Sequence, residues 1–571
     1  MRRLISLGVV VVLLTSCAPR PEMGAAPQAS DGGPREVRGE RTMVVALELE
    51  PKYISPLAPT ISAVAQNFFL RPFNAFLELV DDQGRVLPYL AETLPALNSD
   101  SWQVFPDGRM ETRTTLKPGL TWHDGAPLTA SDFAFTFKVA KPAAGFSTAG
   151  APHSVIGDVL APDDRTIVIQ WTELYPDAGR LQGGGSRLGL PPFPRHILEQ
   201  AYEQETRDAF ANHPYWSREF VGAGPYQLTR WELGSFIEAT AFDGHVLGRP
   251  KIDRFRFVFP GDQNAVVASL RAGAVDGAFN AVAFPQGLEL KREWAGSGGT
   301  VAFVAGSMAA VLFQFRPDYA RPAAIRDVRI RRALAHGIDR ATLGETIWAG
   351  EVSMLETIFD PSLDYYPVID RALVKYPYDP RASERLMAEA GYAKAAGNVY
   401  ASPTGDRLTL DLKSSQARPE APVVAAGWRQ VGFDVEESVV PRALATDPEA
   451  RSSFPGMYLK VIGAQEVQQM TVLLASQAGG PENRWRGENR GGWQNPEYDA
   501  LVATFNTTLE PKDRIELRAR IARLISEELP SLSLSFNANV HIFRSGLRGL
   551  TRTSLYTTGA VTWNVERWDL D

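Results

Sequence analysis

The chain has 571 residues, 44% apolar and 10% aromatic, so it holds material for two or three domains with packed cores. A formal charge of −7 without a basic tract argues against nucleic acid as a partner, and a single cysteine excludes internal disulfides. Stability therefore has to come from burial.

Arg2 and Arg3 precede an apolar run from Leu4 to Leu14, shorter than the roughly 20 residues a membrane-spanning helix needs. A basic segment followed by a short apolar one reads as an export signal. Leu14-Thr15-Ser16-Cys17 ends the run and is similar to a bacterial lipobox, which implies that residues 1–17 carry the lipoprotein signal and that Cys17 is lipidated. An ordinary secretory signal with an incidental Cys17 is the alternative. Each buried methylene of an acyl chain contributes about 0.8 kcal/mol, and stable anchoring needs more than one chain. Residues 18–40 are rich in Pro, Gly, Ala and Ser with few large apolar side chains, and read as a flexible tether. No later stretch is long and apolar enough to cross a bilayer.

Beyond the tether, strand and helix signals alternate, which favours a mixed α/β fold. Met43–Leu49, Thr166–Trp171 and Phe255–Phe259 have the apolar, β-branched content of strands. Thr129 and Asp132 predict a capped helix start, with Phe133 and Phe137 on one face. Asp379-Pro380 and Asn495-Pro496 each place a capping side chain before proline at the first helical position, and Gly391 closes the first of these helices. From about Lys512 to Glu528 apolar residues fall at helical spacing. Pro530 then stops the helix, and Leu532, Leu534 and Phe536 alternate as in a strand.

Residues for catalysis are scarce. The seven histidines are scattered, with no pair closer than His196 and His213, and no H-E-x-x-H motif exists. No G-x-S-x-G surrounds Ser186 or Ser297. Gly222-Ala223-Gly224-Pro225 lacks a third glycine, and its proline removes an amide, so it reads as the lead-in to a strand at Tyr226 rather than a phosphate cradle. The chain is read as a non-enzyme needing no metal or other cofactor.

Seven segments in order carry a family resemblance: Leu87–Glu92 ahead of Trp102, Leu116–Phe133 with Trp122-His123-Asp124-Gly125 inside it, Gly222–Trp231, Leu270–Asp276, Asp327–Leu334 with Ile338-Asp339-Arg340, Tyr378-Asp379-Pro380 with Ala390-Gly391-Tyr392, and Asn495–Asp499. Together they resemble the family 5 extracellular solute-binding proteins, the oligopeptide, dipeptide and nickel receptors of bacterial ABC importers. Taken singly these motifs read as structural: Asp124-Gly125 as a turn, Thr129 as a cap, the arginines of 329–332 as a helix's solvent face.

The resemblance implies an α/β, two-lobed periplasmic-binding-protein-like fold. Lobe 1 would be 41–76 with 220–305 and 536–571, an extra domain 77–219, and lobe 2 306–535. A solute would bind between the lobes, and a membrane permease would be the partner of a monomeric receptor outside the cytoplasmic membrane. Peptide-binding relatives use a W-x-x-D stretch for the peptide's amino terminus, and the corresponding Lys460–Glu466 has neither residue, leaving Glu466 as a substitute carboxylate or a solvated one. Trp485 and Trp493 in a glycine-rich loop suit stacking on a flat ligand such as a sugar ring, with Asn489 as a polar group alongside, the alternative being that one of the tryptophans packs between the lobes. Tyr53, Phe69 and Gln314 complete the expected binding set. A peptide or peptide-like solute is the first expectation, an oligosaccharide or other small solute the second, and a secreted cell-wall hydrolase or sensory lipoprotein the alternative of a different class.

Overall fold

The computed structural model describes residues 40–57, 71–82, 84–140, 146, 150–181, 189–414, 416, 418–463, 466–551 and 560–571. Cys17, Phe69 and nearly all of the 18–40 segment lie outside these. The first strand, β1 (Thr42–Leu47), runs parallel to both of its neighbours and alternates its side chains between two covered faces. Met43, Val45 and Leu47 enter one core while Ala46 enters another. The strand ends two residues earlier than the sequence predicts: Glu48 and Leu49 form a bend, with Leu49 54% exposed.

Four short strands follow, β2 (Trp102–Val104), β3 (Met110–Thr115), β4 (Ile156–Leu160) and β5 (Thr166–Trp171), together with α1 (Ala130–Val139). They make an antiparallel sheet in the order β2-β3-β5-β4. Asp132 Oδ2 accepts from Thr129 N at 2.8 Å, the reciprocal bond that fixes the start of α1. Phe133 packs on this small sheet, while Phe135 and Val139 reach the core beneath β1. The Asp124-Gly125 turn is present, with Gly125 at φ +86°.

His123, next to that turn, ties the small sheet to the main one. Its Nε2 donates to Gly224 O at 2.9 Å and its Nδ1 accepts from Gly222 N at 3.2 Å. The glycines here serve close approach: a Cβ on Gly224 would lie 2.4 Å from Phe73 C and 2.5 Å from Asn74 N.

β6 (Tyr226–Glu232), β7 (Phe236–Ala241), β8 (Arg254–Val258) and β9 (Gly277–Phe279) build one half of a ten-stranded sheet. After α2 (Phe284–Glu293) comes the long β10 (Thr300–Phe313). α3 (Val328–His336), α4 (Arg340–Trp348), α5 (Pro380–Glu389), β11 (Thr409–Ser414), α6 (Glu420–Val431), β12 (Asp434–Val439), β13 (Met457–Ile462), α7 (Pro496–Thr507) and α8 (Pro511–Glu528) lead to a second long strand, β14 (Ser531–Phe543). The sheet order is β12-β11-β13-β10-β14-β9-β1-β8-β7-β6. Asp379 caps α5 and Asn495 caps α7, each accepting two backbone amides.

The strand expected at Leu532, Leu534 and Phe536 is present as β14, buried on both faces from Ser531 to Phe536 because it is interior to the sheet, with Leu532 and Leu534 in one core and Phe536 in another. One expectation changes. Arg331 does not lie on a solvent face. It is 2% exposed and donates to the carbonyls of Ile325, Arg326, Glu528 and Leu529, and burial pushes its guanidinium down to about 10. The interior arginine joins α3 to the last turn of α8.

Candidate functional site

β10 and β14 alone among the described strands run through both halves of the sheet, with Thr300–Ala305 paired to Ala538–Phe543 and Met308–Leu312 to Ser531–Phe536. Between Ala305 and Met308 the register shifts. At this point Asn537, Ala538 and Asn539 are half-buried between the buried Ser531–Phe536 and Val540–Phe543 of β14, and β10 changes from half-buried over Val301–Ala305 to buried from Met308 to Phe313, with Ser307 half-buried. Gly306 lets the Asn539 amide lie against the backbone, since a Cβ there would be 2.9 Å from Asn539 Oδ1.

The carboxyl ends of the parallel strands converge on this crossing from both sides. β9 runs toward it, pairing Gly277 with Phe543 and Phe279 with His541, and β1 runs alongside β9. β13 runs toward it from the opposite side, pairing Met457 with Phe313 and Ile462 with Met308, and β11 is parallel to β13. Outside the carboxyl ends of parallel strands is where α/β sheets bind ligands. Polar groups gather there: Arg418 Nη2 donates to Asn537 Oδ1 at 2.7 Å, Asn537 Nδ2 donates to Ser307 Oγ at 2.9 Å, and Arg418 Nη2 also donates to the fully buried Glu420 at 2.9 Å. Contacts flank the crossing on one side, where Phe284 of α2 meets Trp348 of α4 edge-on at 5.1 Å and Lys291 Nζ donates to both Glu351 carboxylate oxygens at 2.6 Å.

The expected binding residues separate into groups. Gln314, Trp485, Asn489 and Trp493 come together around Arg316, beyond the far end of β10. Gln314 Nε2 donates to the carbonyls of Ser452 and Phe454, and its Oε1 accepts from Arg316 N at 3.1 Å. Asn489 Nδ2 donates to the carbonyls of Leu473, Leu474 and Trp493, and its Oδ1 accepts from Gly492 N and Trp493 N. Arg316 donates to the carbonyls of Gly479 and Arg490. In this conformation neither tryptophan ring presents a face: Trp493 is 4% exposed against Tyr498, and Trp485 is 7% exposed against Tyr319. Tyr53 lies in the core of the first half of the sheet, 7% exposed.

Glu466, just past β13, is 5% exposed rather than solvated. It accepts from Tyr365 Oη at 2.7 Å and from Arg518 Nε at 2.8 Å. Burial foremost, then the Glu466 charge, pushes the Tyr365 hydroxyl well above its ordinary pKa, so it stays a neutral donor. The sequence reading missed Asn537, Arg418 and Ser307, which come from three distant segments and carry no local motif. Among the described residues no group of three or more His, Cys, Asp and Glu could hold a metal ion, and no helix is long and apolar enough to cross a membrane.

Residues 92–482 match the model of the bacterial extracellular solute-binding proteins, family 5, middle region. The chain belongs to this family. As a family 5 protein it has relatives along nearly its whole length: the oligopeptide-binding protein AppA of Bacillus subtilis is 22% identical over 568 residues, covering 98% of this chain and 97% of AppA. The structure of B. subtilis AppA in complex with a nonapeptide superposes with a TM-score of 0.65 at 20% identity, covering 94% of this chain and all of AppA. NikA from Brucella suis, in complex with Fe(III)-EDTA, gives a TM-score of 0.73 at 16% identity, covering 93% of this chain and all of NikA. The fold is thus the α/β, two-lobed one of family 5 binding proteins.

Proposed function

We propose that this family 5 protein is the receptor of an ABC importer, which captures a peptide or peptide-like solute between its lobes and passes it to a membrane permease without chemical change. The observation that carries the reading is the half-buried crossing of β10 and β14, onto which the carboxyl ends of β1, β9, β11 and β13 open, in a chain matching AppA over 98% of its length. Closure is favoured by a solute only to the extent that both lobes contact it in the closed state. Lobe 1 is taken as 41–76, 220–305 and 536–571, lobe 2 as 306–535, and the small sheet as part of an extra domain at 77–219. Cys17 is the lipid anchor and 18–40 the tether, which places a monomeric receptor outside the cytoplasmic membrane.

Within the cleft, Tyr53 and Phe69 are assigned to the lobe 1 side and Glu466 to the lobe 2 side. Gln314, Trp485, Asn489 and Trp493 are assigned to shaping lobe 2 behind it. Arg418, Asn537 and Ser307 at the crossing join the set. The test is a thermal-shift screen of di- to octapeptides, oligosaccharides and metal chelates on residues 18–571, followed by calorimetry. A peptide that raises Tm saturably, and whose affinity falls with Asn537→Ala, supports the reading. A saturable response to sugars or chelates alone would redirect the substrate class. Glycan cleavage in the same samples would point to the hydrolase.

A further inference from the structure

Lys460 on β13 and Arg490 in the following loop are each 6% exposed in their side chains and share one partner, Glu488. Lys460 Nζ donates to Glu488 Oε2 at 2.7 Å and Arg490 Nη2 to Oε1 at 2.8 Å. A third cation, Arg451, has no side-chain hydrogen bond or ion pair among the described residues, and its Nε is buried without a partner. Its charge nonetheless reaches the cluster: burial pushes Glu488 up, but Lys460 first, then Arg490 and Arg451, hold the carboxyl below its ordinary range. Arg490 Nε and the hydroxyl of Tyr458 are likewise buried without partners, Tyr458 being fully buried and stacked on Phe454.

Two cations thus pair with one carboxylate while the charge of a third, Arg451, reaches it, and three orphaned donors, an N–H each of Arg451 and Arg490 and the O–H of Tyr458, accompany them. Burying a net positive charge and unmade hydrogen bonds is costly. Charge-assisted N–H donors and a hydroxyl are the groups that bind an oxyanion, and here they are neighbours: Arg490 lies within reach of the charges of Glu488, Arg451 and Tyr458, and Lys460 within reach of Glu488, Arg490 and Arg451. Glu488 is 45% exposed, so the cluster opens to solvent beside it.

We propose that Tyr458, Lys460, Arg490 and Arg451 form an anion-binding site of lobe 2, entered beside Glu488, that takes a small oxyanion, either a carboxylate or an inorganic ion such as sulfate. The anion accepts from Tyr458 Oη, Arg490 Nε and the Arg451 guanidinium and neutralises the excess positive charge. The site stands apart from the choice of transported solute.

The experiment is thermal unfolding of residues 18–571 in sodium sulfate, sodium acetate and sodium chloride at matched ionic strength, for the wild type, Tyr458→Phe and Arg451→Gln. Tyr458→Phe keeps the stacked ring, and Arg451 is only half-buried, so the fold does not depend on both at once. The expected result is a saturable rise in Tm for the wild type at millimolar sulfate or acetate, reaching about elevenfold in the folding constant at ten times Kd. Both variants lose the saturable part and keep only the general, non-saturating salt response. Saturation by acetate and sulfate marks a carboxylate site, and saturation by sulfate alone an inorganic one. Identical curves for all three proteins, or no saturable response in the wild type, overturn the proposal.

Discussion

Lowering the pH from 7 to 5 is expected to destabilise the protein through three interior histidines. Burial pushes His123 down to about 4 and His541 to about 4, and burial with help from the Arg71 charge pushes His245 to about 3. The geometry agrees: His123 Nδ1 accepts from Gly222 N, and His245 Nε2 faces the Tyr89 hydroxyl at 2.9 Å while Nδ1 donates to Gly248 O, so each ring is held neutral. Because these pKa values are depressed below the unfolded value of about 6.5, the unfolded chain binds more protons between pH 6.5 and about 4. Stability is therefore full above pH 6.5 and falls with pH through that window. At pH 5 the difference is about 1.5 units, or about 2 kcal/mol per histidine, since each unit is worth 1.36 kcal/mol. Urea unfolding at pH 7 and pH 5 measures the loss, and the same pair of experiments on His123→Gln cancels the carboxylates common to both proteins. The variant is expected to be less stable at pH 7 but to lose about 2 kcal/mol less on acidification. An equal pH loss in wild type and variant would refute the assignment of His123 as a buried neutral clamp.

Arg71 donates to Glu566 at 2.9 Å, to Tyr89 Oη at 2.6 Å and to Trp563 O at 3.1 Å, with both charged side chains at most 4% exposed. Arg71→Met is expected to cost about 3–5 kcal/mol by leaving the buried Glu566 with only the exposed Arg567, 3.4 Å away, and Arg71→Met with Glu566→Gln less than the sum of the singles; denaturation of the double-mutant cycle checks it. Gly224→Ala would press a methyl into the Phe73–Asn74 backbone and cost about 1–3 kcal/mol or more, whereas Gly150→Ala, with open space around it, should change stability by less than about 0.5 kcal/mol. Because Arg518 and Tyr365 already satisfy Glu466, acetylating the amino terminus of a bound peptide is expected to change its affinity less than about tenfold by calorimetry, about 1.4 kcal/mol.

Local signals carried much of the fold into the sequence. Asp379-Pro380 and Asn495-Pro496 mark helix starts because a cap and a proline act within one turn, and Thr166–Trp171 shows its strand in its own composition. β10 was not legible: Thr300–Phe313 is buried on both faces over its second half, so it lacks alternation and reads as a featureless apolar run. The site was least legible where its parts are remote in sequence. Asn537, Ser307 and Arg418 meet only because β10 and β14 pair, and Arg331 turned inward because carbonyls at the end of α8 needed a donor. The glycine-rich Trp485–Trp493 loop suggested an open binding surface, yet Asn489 and Arg316 hold it closed with backbone hydrogen bonds.

Native mass spectrometry of gently purified residues 18–571 tests the central claim most directly. A receptor that closes on a solute is expected to carry a noncovalent adduct of one chemical class, lost on unfolding, and the identified compound should restore the adduct and raise Tm when added back, by about 2.7 kcal/mol of stability at 100 times its Kd. A chain that carries no adduct, and shows no saturable response to any peptide, oligosaccharide or chelate offered to it, would contradict the claim that the β10–β14 crossing lies under a solute cleft.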